Sequence, residues 1–219
     1  TLHTNTPVKK GELVASTRLI PLVGKRTTVE QAAAIAREGG GIAQVKNLRR
    51  AQAALIITGN EVFHGRIKDA FEPILRRKLA DIGSEVLEVR FAPDDAEVIA
   101  ESIRICLANG ADLIVTSGGM SVDPDDVTRA GIRLAGAEQI VYGTPVLPGA
   151  MFLVGYIGEV PVLGVPACGM FHRITILDLV LPRVLAGERL TREELARMGH
   201  GGLCRHCKTC RYPACSFGK

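Results

Sequence analysis

The sequence predicts an α/β fold: a three-layer sandwich around a mostly parallel sheet, with a small N-terminal β element and a cysteine-rich C-terminal tail. Three observations point there. From Ala51 onward, short β-branched runs alternate with amphipathic helical stretches, the rhythm of a parallel sheet covered on both faces. One such run, residues 112–116, stops at Ser117-Gly118-Gly119 and then meets Asp123, Asp125 and Asp126 within four positions. Near the end, four cysteines fall within twelve residues.

At 219 residues with 47% hydrophobic content, the chain is long enough to bury a sizeable core. We divide it into a partial N-terminal β and helix segment (1–50), a main α/β domain (51–187) and a cysteine-rich tail (188–219). The chain opens at Thr1 in mid-pattern, so further residues upstream are expected. No apolar run reaches the roughly 18 residues that span a bilayer, and no leader pattern opens the sequence. The expectation is a cytoplasmic protein with no membrane partner. The net charge of +4 comes wholly from 191–219, with six basic and two acidic residues, while the other 21 basic and 21 acidic residues balance. With nine aromatics and no tryptophan, nothing interleaves basic and aromatic residues as a nucleic-acid surface would, and no nucleic-acid partner is expected.

Taken in order, residues 8–25 mix β-branched residues with Gly11, Pro21 and Gly24, which suits short strands. Residues 27–38 have capping-box spacing, Thr27 to Glu30, before an alanine-rich helix that Gly39-Gly40-Gly41 stops. A buried strand follows over 53–58. Asp69 and Glu72 then have capping spacing for a helix burying Phe71, Ile74, Leu75, Leu79 and Ile82, ended by Gly83. A strand over 85–91 leads to Pro93-Asp94-Asp95, which opens a helix with Val98, Ile99, Ile103 and Cys106 or Leu107 inward. After the glycine-rich stretch come a short helix to Gly136, strands over 139–142, 151–157 and 160–166, and a helix from about Met170 to Ala186. The last two strands form a hairpin.

In such folds ligands lie beyond the carboxyl ends of the parallel strands. Three stretches gather on that edge: Gly59-Asn60-Glu61, the loop 118–126, and Pro166-Ala167-Cys168-Gly169. Bare N–H groups at Gly118 and Gly119 can approach a phosphate, Ser117 and Ser121 add hydroxyls, and Asp123, Asp125 and Asp126 can bind a hard cation. That chemistry suits a phosphorylated ligand. Cys168, in the turn before a helix opening, is a ligand or nucleophile candidate, because such a position lowers a thiol pKa. Cys106, on an apolar helix side, reads as inert core.

The motifs TGNE (58–61), TSGGMSVDPDDV (116–127) and GVPACG (164–169) arrive in order and at suitable separations. Together they resemble the molybdopterin-binding domain of the molybdenum-cofactor biosynthesis proteins, whose turns read TGDE, TSGG-x-S-x-G-x-x-D and GLPGNP. The opening VKKGELVASTRLIPL is similar to the small β domain that precedes this fold in the molybdopterin molybdotransferase group. The resemblance implies molybdopterin as cofactor, with Mg2+. Thr58, Gly59, Asn60, Ser117, Gly118, Gly119, Met120, Ser121, Pro166 and Cys168 would line its site, and Glu61, Asp125 and Asp126 would be the catalytic or cation-contacting acids. It also implies a homo-oligomer and a partner among molybdoenzymes or cofactor-synthesis proteins. Asn60 replaces that group's aspartate, Asp123 its glycine and Ala167-Cys168-Gly169 its Gly-Asn-Pro, and VLPGAMF (146–152) lacks the lysines of its KPGKP segment. Pterin-phosphate binding is therefore implied more strongly than molybdate insertion. GNEVFHGRI and PDDVT also look like GTELLLGQI and KDDLT of the competence-damage-inducible protein A family, which implies metal-dependent nucleotide pyrophosphate hydrolysis as the alternative. A non-catalytic cofactor carrier is the third reading.

Cys204, Cys207, Cys210 and Cys215 are spaced x2, x2 and x4. In a chain expected to be cytoplasmic, such spacing predicts an iron-sulfur cluster or Zn2+ before disulfides. From Gly199 to the end, Leu203, Tyr212 and Phe217 are the only large apolar groups, so the metal is expected to supply most of that segment's order.

Overall fold

The computed structural model describes residues 1–120 and 127–219. The chain divides into two units, Thr1–Asn47 and Leu48–Lys219. The first unit contains α1 (Arg26–Arg37) and a 3-10 turn, Glu38–Gly40. The helix ends at the glycines as expected, but it starts one residue before Thr27, after Lys25, with no side-chain cap. Where short strands are expected over 8–25, the described residues run as coil and turns, with Leu2 N donating to Val14 O at 3.0 Å and Glu12 N to Lys9 O at 3.1 Å.

The second unit holds β1 (Gln52–Thr58), α2 (Asn60–Phe63), α3 (Phe71–Asp81), β2 (Glu85–Ala92), α4 (Ala96–Ala108), β3 (Leu113–Ser117), α5 (Thr128–Leu134), β4 (Glu138–Tyr142), β5 (Leu153–Ile157), β6 (Val160–Val165), α6 (Ile176–Leu185) and α7 (Arg192–Arg197). The sheet order is β2-β1-β3-β6-β5-β4. β2, β1, β3 and β6 run parallel, while β5 and β4 complete the sheet through antiparallel pairs.

Alternation along β1 explains its position. Ala53, Leu55 and Ile57 join a core with Phe71, Leu75 and Leu79 of α3 and most of α6, while Ala54 and Ile56 join a second core with Ile99, Ile103 and Cys106 of α4 and Ile132 of α5. A strand buried on both faces must be apolar at successive positions, and two helical layers follow from that. The three-layer sandwich is therefore present. Gly131 lets α5 approach α4 closely, since a Cβ there would lie 2.7 Å from Ile99 Cγ2.

The helix caps follow local chemistry. Asp69 accepts from the N–H groups of Phe71 and Glu72, and Asp95 from those of Glu97 and Val98. Val98, expected to point inward, is exposed. The last long helix begins at Ile176, not near Met170, because Thr175 and Asp178 form a capping box there. Asp178 has a second role: Lys78 Nζ of α3 donates to its Oδ1 at 2.5 Å and to Arg173 O at 2.7 Å, while Thr175 N donates to its Oδ2 at 2.7 Å. This buried pair ties α3 to the start of α6.

At the far side of the sheet, the β4–β5 register shifts between Glu138 and Val141, and Gln139 has φ 50°. Arg189 donates to Gln139 Oε1 at 2.9 Å while its guanidinium lies over the Tyr156 ring, 4.4 Å from the centroid.

Candidate functional site

The parallel registers bring the expected edge together. Ile57 of β1 lies beside Ser117 of β3, Ser117 beside Val165 of β6, and Thr58 beside Ala92 of β2. The turns after all four strands therefore emerge in one row. From β1 the chain builds outward to β2 on one side and crosses to β3 on the other, so the strand order reverses between the ends of β1 and β3. A crevice at such a point is where open α/β sheets bind ligands.

A knot of hydroxyls forms the floor of that crevice. Thr58 Oγ1 donates to Ser117 O at 2.9 Å, and Thr128, the first residue of α5, lies with its Oγ1 2.9 Å from Thr58 Oγ1. Since Thr58 has one hydroxyl proton and gives it to Ser117, the Thr128 hydroxyl donates in that second bond. Gly118 and Gly119 pass over this knot with φ of 85° and 52°. A Cβ on Gly118 would run into Thr58 O and lie 2.8 Å from Thr58 Oγ1, and one on Gly119 would run into Thr128 Oγ1. The glycine pair, read from sequence as a means of approaching a phosphate, is thus already required by packing inside the protein. Thr116 Oγ1 and Ser117 Oγ are buried and find no partner among the described residues. An unmet buried hydroxyl costs about 1 to 3 kcal/mol, which marks the end of β3 as a place where a further polar group would be stabilising.

The other sequence-selected residues take varied places on this edge. Gly59, with φ 136°, precedes α2, and its N–H donates to Ala92 O at 3.2 Å. Asn60 and Asp94 bind reciprocally: Asn60 N donates to Asp94 Oδ2 at 2.9 Å and Asp94 N to Asn60 Oδ1 at 3.2 Å. Asn60 therefore latches the turn after β1 to the turn after β2. Glu61 is exposed beside it. Met120 is buried, and its Cε would lie 2.5 Å from a Cβ on Gly164, while its carbonyl accepts from Tyr142 O–H at 2.7 Å. Its side chain belongs to the core beneath the edge.

Pro166 is buried before a 3-10 turn, Ala167–Met170, that carries Cys168. Burial pushes the Cys168 thiol above its ordinary range, opposite to the lowering that a helix N-terminus would give. The helix whose N-terminus should have lowered it starts only at Ile176. Ser121, Asp123, Asp125 and Asp126 lie outside the described residues. Sequence reasoning missed Thr128 and Asp94 as structural members of the edge. The signal for Thr128 was its place at the end of PDDVT, where a threonine opens a helix directly below the glycine turn.

Among the described residues no three His, Cys, Asp or Glu side chains gather as a metal site. The Fe-S or zinc centre expected at the tail is therefore not assembled: Cys204 and Cys215 are half-buried against the core, while Cys207 and Cys210 are exposed. Nor is the tail ordered by metal alone, as its composition suggested. Phe217 is 3% exposed, Tyr212 O–H donates to Asp178 O at 2.9 Å, and Cys204 N donates to Leu147 O at 2.8 Å. The segment borrows the apolar face of α6 in place of a core of its own.

Comparison with known proteins places this edge in a family. The family described as "Probable molybdopterin binding domain" matches residues 54–186, a span that contains all three turns. The chain is 38% identical over 92 residues to a CinA-like protein of Mycobacterium sp. (strain JLS) and 32% identical over 91 residues to one of Thermosipho melanesiensis, in each case covering 42% of this chain. It spans only 22% of the length of those relatives. Its fold matches the molybdopterin biosynthesis enzyme MoaB of Thermus thermophilus, with TM-score 0.53 and 23% identity over 63% of this chain and 98% of that one. It also matches the molybdopterin biosynthesis MoeA protein of Pyrococcus horikoshii, with TM-score 0.52 and 28% identity over 73% of this chain and 40% of that one. With the family's match covering more than half of the residues and every turn of the crevice, the chain belongs to the molybdopterin-binding domain family of molybdenum-cofactor biosynthesis proteins.

Proposed function

We propose that the chain binds molybdopterin, or a nucleotide derivative of it, over the ends of β1, β3 and β6, in the biosynthesis or handling of the molybdenum cofactor. The observation that carries the reading is the alignment of Ile57, Ser117 and Val165 at one end of the sheet inside the family's matched span, with Ser117 Oγ buried and unmet among the described residues. In this reading the amides at Gly118 and Gly119 and the hydroxyl of Ser121 hold the phosphate, and the turns at Gly59 and Pro166 flank the pterin. The described acids on the edge do not make a cation site, since Glu61 is exposed and Asp94 is engaged by Asn60. A role for Mg2+ accordingly rests on Asp125 and Asp126. We take the cytoplasm as the compartment, and a molybdoenzyme or a cofactor-synthesis protein as the partner class.

Titration of the purified chain with molybdopterin tests the reading. Saturable binding that Ser121→Ala weakens, with the unfolding transition unchanged, is the expected result; absence of binding by the folded protein overturns it. The likeness of 91 to 92 residues to CinA-like proteins supports a second reading, divalent-metal-dependent hydrolysis of a nucleotide pyrophosphate bond. Release of a mononucleotide from a dinucleotide pyrophosphate in the presence of Mg2+, lost in Asp126→Asn, would favour it. Molybdopterin binding without turnover of either kind would identify a carrier.

A further inference from the structure

The tail is a loop held shut at its base. Gly218 N donates to Gly201 O at 2.9 Å, and the Cα of Gly201 is so close to the returning strand that a Cβ would lie 2.6 Å from Ser216 O and 2.9 Å from Lys219 O. On the outgoing side Leu203 bridges to Leu147, and Cys204 N donates to Leu147 O. On the returning side Tyr212 and Phe217 pack onto the α6 core. Cys204 and Cys215 thus stand near the pinned base, and Cys207 and Cys210 stand exposed on the crown between them. The crown has few internal bonds, the described ones being Ala214 N to Arg211 O and Cys215 N to Pro213 O. At roughly 3.3 to 3.6 Å of chain per residue, Cys207 lies within about 11 Å of Cys204 and Cys210 within about 18 Å of Cys215. The base is fixed, and the chain between is long enough for the crown to reach it.

We infer that Cys204, Cys207, Cys210 and Cys215 form a tetrathiolate metal site, completed when the crown of this loop closes onto its base around a zinc ion or an iron-sulfur cluster. Each thiol gives its proton to solvent and its sulfur lone pair to metal, with no oxidation of sulfur, and ferrous and ferric iron together with inorganic sulfide supply the cluster in the second case. The charge pattern fits. Residues 201–219 contain Arg205, Lys208, Arg211 and Lys219 and no acidic side chain, so a centre carrying four thiolate charges sits among cations. The loop also touches the candidate ligand edge, since the His206 ring lies 4.8 Å, centroid to centroid, from His172, whose N–H donates to Cys168 O. Closing the crown therefore acts on the turn that carries Cys168.

The test uses the full chain purified without oxygen, loaded separately with Zn2+ and with ferrous and ferric iron plus sulfide, and needs no pterin. One arm should leave a single metal centre per chain after desalting, with four of the six cysteines protected from alkylation and the amides of 167–172 slowed in hydrogen exchange. Cys207→Ser/Cys210→Ser, which alters only exposed side chains, should lower metal affinity at least about tenfold, while Cys106→Ala and Cys168→Ser leave it unchanged. Retention of neither metal, equal retention by the double serine variant, or a Cys207–Cys210 disulfide in the anaerobic protein would each overturn the site.

Discussion

Replacing Gly118 by alanine should unfold the protein's edge more readily than any conformational penalty alone explains. The residue has φ 85°, which costs an L-residue about 1 to 2 kcal/mol. Its new Cβ would also meet Thr58 O, a backbone atom of a central strand, with Thr58 Oγ1 2.8 Å away, and overpacking of this kind costs about 1 to 3 kcal/mol. The sum is about 2 to 5 kcal/mol, or a fall in melting temperature of roughly 5 to 20 °C for a unit of this size. Gly136 supplies the control. Its φ is 99° and no atom lies within 4 Å of its would-be Cβ, so Gly136→Ala should carry only the conformational part, about 1 to 2 kcal/mol. Urea and thermal unfolding of the two variants, followed by circular dichroism, compare them directly. Equal destabilisation would refute the claim that Gly118 is required by contact with Thr58.

Three further predictions test other parts. Lys78→Met leaves Asp178 buried without its cation and should cost about 3 to 5 kcal/mol in urea unfolding, whereas a loss under 1 kcal/mol would mean that the pair does not tie α3 to α6. Phe217→Ala, at a side chain 3% exposed, should cost about 3 to 5 kcal/mol locally and speed proteolytic cleavage beyond Gly199 while the sheet stays folded; unchanged cleavage would show that packing does not hold the tail. Burial, followed by a hydrogen bond with Glu88, pushes the Cys106 thiol up to about 12. The folded chain then keeps a proton that the unfolded chain loses above about pH 8.5, so stability should be flat below that pH and fall as pH rises toward 12. Cys106→Ala should remove that part of the slope, and an unchanged slope would count against the shift.

Legibility followed the locality of the signal. The strands read well because β1, β3 and β6 are buried on both faces and so are apolar through most of their length, and the Asp69 and Asp95 caps read well because each is satisfied within three residues. The order of the three turns also read correctly, since parallel strands must present their carboxyl ends together. What escaped was set by residues far apart in sequence. Ser117 and Met120 look alike as loop members, yet one has a buried hydroxyl without a described partner and the other is drawn inward by the space that Gly164 leaves. The bonds that join Asn60 to Asp94, 34 residues later, could not be read from the local sequence. The Thr175–Asp178 cap was visible in principle, but the cysteine turn before it drew the helix start too early. The tail's apolar partners lie on α6, so its own composition could not show how it would be ordered.

The displaced register of β4 bears on how copies of this chain can meet. An outermost strand with a regular ladder offers its free N–H and C=O groups to any strand that arrives, which is a route to fibres and to sheet-extended dimers. Here the shift between Glu138 and Val141 breaks that offer in the middle of a five-residue strand, and Gln139, with φ 50° and Arg189 holding its amide, cannot easily flatten again. The run of backbone groups left on either side is too short to seat a second strand. Self-association by continuous sheet through β4 is thereby disfavoured, which leaves the helix and loop surfaces and the opposite edge strand, β2, as the places where copies of this chain could meet.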